Sequence, residues 1–362
     1  MQDDDVMYLS DKCLNIRRLE HAIVLPGVFF GGGVVHDGQL LRESMLNRGH
    51  YKRDGFSMPN DIQQDSRKAL YLGDFCACWG HCLTDCLKHA WALLPKYRQE
   101  WNRDEVAFVY TTCWPDEEIS ENFFQCWEAL GLSRNKMIRI VKPVQFEMLY
   151  FPEESFWLER LDGFRCCSAQ YTETIDAIRN HFVPSIMPPY RVIYFSRRRW
   201  TAKKSDFGEQ GLEDAICRAT GAESVSPETL TLQELVKLMG ECKILITTEG
   251  SVSHNAVFMQ DCSELVILKK ANYVNGYQPP INQMRKLKVT WLRAHMSKFL
   301  EYPDRPWLGP FYLCVTRDVA TFFGIHTEID FIAYFRYFLY FIKKRFRHAL
   351  VQIKHIASSA LF

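Results

Sequence analysis

Apolar positions fall in short runs along most of this chain, and the runs stop abruptly at small, hydroxyl or charged residues. RVIYF (191–195) ends in Ser196 and then Arg197, Arg198 and Arg199, while KILIT (243–247) ends in Thr248, Glu249, Gly250 and Ser251. Runs of this length, so bounded, predict buried parallel strands. VAFVYTT (106–112), MIRIVKP (137–143) and ELVIL (264–268) have the same character. Between them, apolar residues at three- and four-residue spacing predict helices over 79–95, 121–132, 171–182 and around 211–220. Two more are predicted to begin at Thr231 and at Ser251. Thr231 and Glu234 have the spacing of a capping box, in which each side chain satisfies a helix-start donor. In the first helix Leu83, Leu87, Ala90 and Leu94 share a face directed to the core. Near the start of the chain, Asp37-Gly38 between apolar runs signals a hairpin. The glycine triplet 31–33 lacks the Gly-Lys-Ser/Thr ending of a phosphate loop and reads as bulged or tightly packed strand.

This alternation predicts an α/β protein. Pro184, Pro188 and Pro189 punctuate it, which sets an N-terminal α/β domain at 1–185, a second at 186–300 and an extension at 301–362. The extension ends in FIAYFRYFLYFIKKRFRHALVQIKHI (331–356), rich in aromatics and then in cations. Its apolar run is broken by Arg336 and is too short to span a bilayer, which takes ~20 residues. The pattern fits an amphipathic helix lying in a membrane interface, with Lys343, Lys344, Arg345 and Arg347 toward anionic lipid. The plainer alternative is a terminal helix packed on the core.

Composition supports substantial cores, with 47% hydrophobic residues in a chain of 362. Lys plus Arg number 44 against 43 Asp plus Glu, so bulk charge selects no polyanion and no nucleic-acid partner is expected. Thirteen cysteines cannot all pair within one chain. The acidic N-terminus lacks the basic start and apolar stretch of a signal peptide. Together these predict a reduced, cytoplasmic protein with buried thiols. Cys76, Cys78, Cys82 and Cys86 lie near His81 and His89 but lack the Cys-x-x-Cys pairs of zinc sites. The spacing of Cys78, Cys82 and Cys86 matches a helix stripe instead. No predicted strand leads into an Asp-x-Asp motif of metal-dependent transferases, so no metal is expected.

The candidate chemistry sits at strand ends, where open α/β sheets bind ligands. Planar guanidinium groups match phosphate oxygens in pairs, and Arg197 is the first candidate, followed by Arg198. Gly250 lets a backbone approach a ligand, and Ser251 would start a helix whose free N–H groups attract an anion. Asn255 either bonds the ligand or fixes the loop. Glu249 would accept from sugar or ribose hydroxyls or pair with an arginine. His81 and Asp85 are four apart and share a helix face, an arrangement that suits a general base oriented by a carboxylate. The plainer readings are a solvated basic turn, an ordinary strand–turn–helix and local helix-start bonds.

Ser196-Arg197-Arg198 after a strand, then Glu249-Gly250-Ser251 and Asn255, with His81 and Asp85 upstream, resembles the family-61 glycosyltransferases, of the bacterial capsular-polysaccharide type. The resemblance covers most of residues 20–295. It implies a GT-B-like arrangement of two Rossmann-like domains and inverting, metal-independent transfer of a sugar from a nucleotide-sugar donor. The acceptor implied is a glycan or lipid-linked, in bacterial capsule or lipopolysaccharide biosynthesis at the inner face of the membrane. His81 is then the base and Asp85 its partner, while Ser196, Arg197, Arg198, Glu249, Gly250, Ser251, His254 and Asn255 hold the donor. The nucleotide-sugar is a substrate, and no cofactor is implied. Many members carry His-Gly-Ala/Ser where this chain has Glu249-Gly250-Ser251, and His254 is the candidate to supply that imidazole's part. The rivals are a pyruvyl or phosphoryl transferase on a related two-domain fold and a non-catalytic carbohydrate-binding scaffold.

Overall fold

A computed structural model describes residues 7–27, 32–49, 58–101, 105–158, 165–185, 187–199, 206–296 and 309–359, with side chains to 347. Its C-terminal half is built on a five-stranded, wholly parallel sheet. The spatial order is Glu223–Val225, Arg191–Phe195, Cys242–Thr248, Glu264–Lys269 and Lys288–Arg293. Numbered along the chain, that order is 2-1-3-4-5. Strand order therefore reverses between Arg191–Phe195 and Cys242–Thr248, and connections leave in opposite directions there. The crevice beyond the carboxyl ends of two such strands is where open α/β sheets take ligands.

The N-terminal half carries an eight-stranded mixed sheet. Gln63–Phe75 and Val106–Thr112 run parallel at its centre, and Met137–Arg139 and Val144–Pro152 join them in parallel on either side. Antiparallel strands complete the far edge. There Asp37 and Gly38 turn with φ of +50° and +73°, the left-handed pair that a two-residue hairpin needs. In the glycine triplet, Gly33 opens a strand and a Cβ on Gly32 would come within 2.4 Å of the Thr111 side chain, so this is tight packing. Gly31 lies outside the described residues. The two halves share one apolar core, in which Phe75, Trp127 and Tyr171 belong to the same cluster as Ile193, Leu245 and Val257. The helix Ala169–Phe182 packs against Glu121–Ala129 and Leu232–Glu241 at this junction. The capping box at Thr231 and Glu234 is formed, with both reciprocal hydrogen bonds present.

Two expected helices are not regular α-helices. In 79–95 only Trp79–Cys82 is α-helical; turns follow, then a 3₁₀ segment at Ala90–Leu93. Residues 82–94 are buried on every side, so this is not a helix with one apolar face. Leu83, Leu87, Ala90 and Leu94 are buried as their spacing predicts. Lys88 is buried as well, and its ammonium donates to the Met45 carbonyl at 2.7 Å and to Glu154 at 2.9 Å. Tertiary demands of this kind override a local helical pattern. The second case is the stretch after Ser251, which forms a 3₁₀ segment, Ser253–Phe258. Ser251 is exposed and caps nothing, while Ser253 Oγ donates back to the Gly250 carbonyl at 2.7 Å. The terminal helix Phe331–Ser359 lays Tyr337 and Phe341 inward near Phe207 and Tyr312.

Lys88→Met should therefore destabilise the fold by about 3 kcal/mol, because Glu154 and the Met45 carbonyl stay buried after the cation is gone. Equilibrium urea unfolding measures it; a loss below about 1 kcal/mol would show that Arg48, 2.6 Å from Glu154, suffices alone.

Candidate active site

The strand ends at the order reversal carry two groups of predicted residues. Beyond Arg191–Phe195, Ser196 is buried and donates to Glu213 at 2.7 Å, while its oxygen accepts from the Arg198 backbone at 3.2 Å. Arg197 reaches Asp206 at 3.0 Å, and its backbone N–H donates to Glu209 at 2.9 Å. Arg198 faces Asp214 at 3.1 Å and Glu213 at 3.5 Å. Both guanidinium groups are thus held by carboxylates, with side-chain exposures of 28% and 38% that keep them open to an incoming anion. Lys270 adds a third cation on Asp206 at 3.2 Å.

Beyond the neighbouring strand Cys242–Thr248, Glu249 is buried. One carboxyl oxygen accepts from the Asn275 backbone at 2.7 Å; the other has no partner among the described residues. Burial pushes this carboxyl up to about 7, so near neutral pH it is partly protonated and repels an anion less than an ordinary carboxylate would. No arginine pairs with it among the described residues, so of the two predicted roles the hydrogen-bonding one fits. Gly250 has a φ of +127° with open space where a Cβ would stand, so its backbone conformation, not crowding, is what demands glycine.

The N-terminal half supplies the other wall. Gln63–Phe75 leads through Cys76 to Trp79–Cys82, and this segment lies directly on the loop after Gly250. Trp79 Nε1 donates to Asn255 Oδ1 at 2.8 Å, and Asn255 Nδ2 donates to the Val252 carbonyl at 2.8 Å. Both ends of the Asn255 amide are used, so it fixes the loop. Gly80 is the point of closest approach: a Cβ there would meet Ser251 Oγ at 2.6 Å and His254 Nδ1 at 2.9 Å. His81 follows, with Nδ1 at 2.6 Å from Asp85 Oδ2 and 21% of its side chain exposed. Burial alone would depress this imidazole, but the hydrogen bond and charge of Asp85 outweigh it and the net shift is upward. Asp85 shifts downward: burial opposes its charge, and the bond to His81, with Lys88 and Arg165 nearby, prevails.

Three residues complete the surroundings of His81. Tyr277 meets His81 edge-on at 5.2 Å, and the Arg165 guanidinium lies 3.5 Å from the Tyr277 ring centre. Tyr277 is buried near Asp85 and Arg165, and burial holds its hydroxyl well above the ordinary phenol range. His254 is buried, and burial and the neighbouring His81 push it down to about 3, against an upward pull from the Gly80 backbone. It is a neutral imidazole across the physiological range. The structure thus gathers His81, Asp85, Ser251, His254 and Asn255 into one wall, and places Ser196, Arg197, Arg198, Glu249 and Gly250 on adjacent strand ends. Arg165, Tyr277 and Gly80 carried no signal in the sequence, because a lone arginine, tyrosine or glycine matches no motif. Cys76, Cys82 and Cys86 are buried and Cys78 is exposed beside Ser251, with its sulfur 3.7 Å from Ser251 Oγ.

Gly80→Ala should disturb this wall without unfolding the protein, since the crowding falls on His254 and Ser251 and not on backbone. Turnover should drop by roughly 10²-fold, the scale of a small misplacement of reacting groups. Steady-state kinetics beside a melting curve checks this, and unchanged turnover would mean that the wall yields without consequence.

With this geometry described, comparison with known proteins adds one finding. The sequence model of the family described as Glycosyltransferase 61 matches residues 79–266, more than half of the chain. Among curated proteins no match is found. The matched span begins at Trp79 and includes Gly80, the His81–Asp85 pair, the arginine cluster and the Glu249–Asn255 loop. The chain therefore belongs to glycosyltransferase family 61 and is a glycosyltransferase.

Proposed function

We propose that the protein is an inverting, metal-independent enzyme that transfers a sugar from a nucleotide-sugar to a hydroxyl of a glycan or lipid-linked acceptor. The observation that carries this reading is the His81–Asp85 pair set against the loop after Gly250 at the order reversal of the parallel sheet. In the GT-B-like reading, the N-terminal domain (1–185) presents the acceptor and the second domain (186–300) holds the donor. Asp85 keeps the Nδ1 proton of His81, which leaves Nε2 to take the acceptor hydroxyl proton. That oxygen attacks the anomeric carbon as the bond to the diphosphate breaks on the opposite side. Charge developing on the departing diphosphate is met by Arg197, Arg198 and the backbone at Gly250, which supplies without a metal the stabilisation such a step needs. Family membership favours sugar transfer over the pyruvyl, phosphoryl and scaffold readings.

The terminal helix supports a role at the membrane. Phe331, Phe335, Phe338, Leu339, Ile342 and Phe346 recur at three- and four-residue spacing and are all exposed, opposite the inward Tyr337 and Phe341. Arg336, Lys343 and Arg347 fall along one margin of that apolar stripe and Arg345 on the other side. Lys344 is a correction to the sequence expectation: it turns in and donates to the Gly309 carbonyl at 2.8 Å. No helix among the described residues is long and apolar enough to cross a membrane. We read the protein as cytoplasmic and peripheral on the inner face of a bacterial membrane, where capsule or lipopolysaccharide intermediates are built.

His81→Ala should lower turnover by about 10²–10⁴-fold. The pH dependence of kcat/KM is more specific. A base works deprotonated, so the rate should fall as pH drops through the raised pKa of His81, above the ordinary imidazole value of ~6.5. Asp85→Asn removes the carboxylate that raises it, so the acid limb should move to lower pH. An acid limb unmoved in Asp85→Asn would remove His81 as the base.

For the helix, truncation before Phe331 should reduce co-sedimentation with vesicles containing anionic lipid, and salt should weaken binding of the intact chain. Equal binding by both proteins would assign the stripe another role.

A further inference from the structure

The strand Val106–Thr112 runs parallel to Gln63–Phe75 and in register with it to Phe75↔Thr112, so both strands end on the same edge. One leads to His81. The other opens into the loop that carries Trp114, whose side chain is 50% exposed. An exposed indole on a loose loop would mean little, but this loop is tied down beneath it. The Cys113 N–H donates to the Phe75 carbonyl at 2.7 Å. Glu117 accepts from the Ala77 backbone at 2.7 Å with one carboxyl oxygen and from the Trp114 backbone at 3.3 Å with the other. Arg139 braces the loop from below, donating to Thr112 Oγ1 at 2.7 Å and to the Trp114, Pro115 and Glu117 carbonyls. A single carboxylate thus couples the Trp114 backbone to Ala77, four residues before His81.

We propose that Trp114 is a preformed platform for the acceptor, against which the apolar C–H face of a pyranose ring stacks beside the hydroxyl presented to His81. The inference rests on the reading of the N-terminal half as the acceptor side. A pyranose offers one face of C–H groups and an edge of hydroxyls. An indole complements the face, and its rigid ring loses little conformational freedom on contact. The anchoring by Arg139 and Glu117 means that the platform is ordered before the sugar arrives, which lowers the cost of binding. The arginine and carboxylate groups of the donor side have no counterpart on the indole, so the platform discriminates by ring shape and not by charge. Trp114 is a specificity-determining residue here, while Glu117 and Arg139 are positioning residues.

The test uses the full-length protein with its nucleotide-sugar and a panel of methyl hexosides and their disaccharides, first ranked for turnover with the unmodified enzyme. Trp114→Ala should raise the acceptor KM about tenfold, with kcat at saturating acceptor and nucleoside-diphosphate Kd unchanged. Trp114→Phe should recover part of the loss. Saccharides that serve as acceptors should also protect Trp114 from oxidation by N-bromosuccinimide, read by peptide mass spectrometry, and those that do not serve should leave it reactive. An unchanged acceptor KM in Trp114→Ala, or equal oxidation with and without saturating acceptor, overturns the proposal. So does a change in self-association on Trp114→Ala without a change in KM, which would make the indole a protein contact. Failure of the acceptor-side reading looks different: Trp114→Ala would leave the acceptor KM unchanged and weaken nucleoside-diphosphate binding, which would put the donor on the N-terminal half.

Discussion

One hydrogen bond, from Trp79 Nε1 to Asn255 Oδ1 across 176 residues of sequence, joins the two halves of this enzyme where they meet its site. It works because Gly80, the next residue, has no side chain and lets Ser251 and His254 close on the backbone. The same contact orients both parts of the wall that carries His81. It sets the segment from which His81 projects and, through the Asn255 bond to the Val252 carbonyl, the loop after Gly250. A bond of this kind contributes only about 1 kcal/mol net, so it does not hold the halves together. The shared apolar core does that, and the hydrogen bond selects the register in which they meet.

Electrostatics on the donor side has the character of an exchange. Arg197, Arg198 and Lys270 are satisfied by Asp206, Glu213 and Asp214. A diphosphate bound there as proposed would compete with carboxylates for guanidinium donors, and it brings more charge and more acceptor oxygens than any one of them. Two buried carboxyls nearby ease that exchange. Burial pushes Glu209 up to about 7, as it does Glu249, so each takes up a proton readily when negative charge arrives.

Much of the frame was legible because it follows from local pattern. The strand ends at Phe195 and Thr248, the hairpin at Asp37-Gly38 and the capping box at Thr231 depend on residues close in sequence. The His81–Asp85 pair was legible for the same reason, being four residues apart on one turn of chain. What escaped depends on distance. Arg165 and Tyr277 reach His81 from 84 and 196 positions away, and nothing near either residue announces the partner. The break in the expected helix after Cys82 traces to Lys88 turning inward to Glu154, a demand set by a residue 66 positions on. Ser251 was expected to cap a helix, but Ser253 and Asn255 bind the same turn's carbonyls and tighten it to a 3₁₀ segment.

The central claim is a division of labour at one junction, with the donor diphosphate on the strand-end arginines and proton transfer on the opposite wall. Calorimetric titration of nucleoside diphosphates into the unmodified protein, Arg197→Ala and His81→Ala tests it most directly. Loss of a charge-assisted bond at Arg197 should weaken binding by about 1.5–3 kcal/mol, while His81→Ala should leave it unchanged. Unaltered affinity in folded Arg197→Ala, or an equal loss in His81→Ala, would contradict the account.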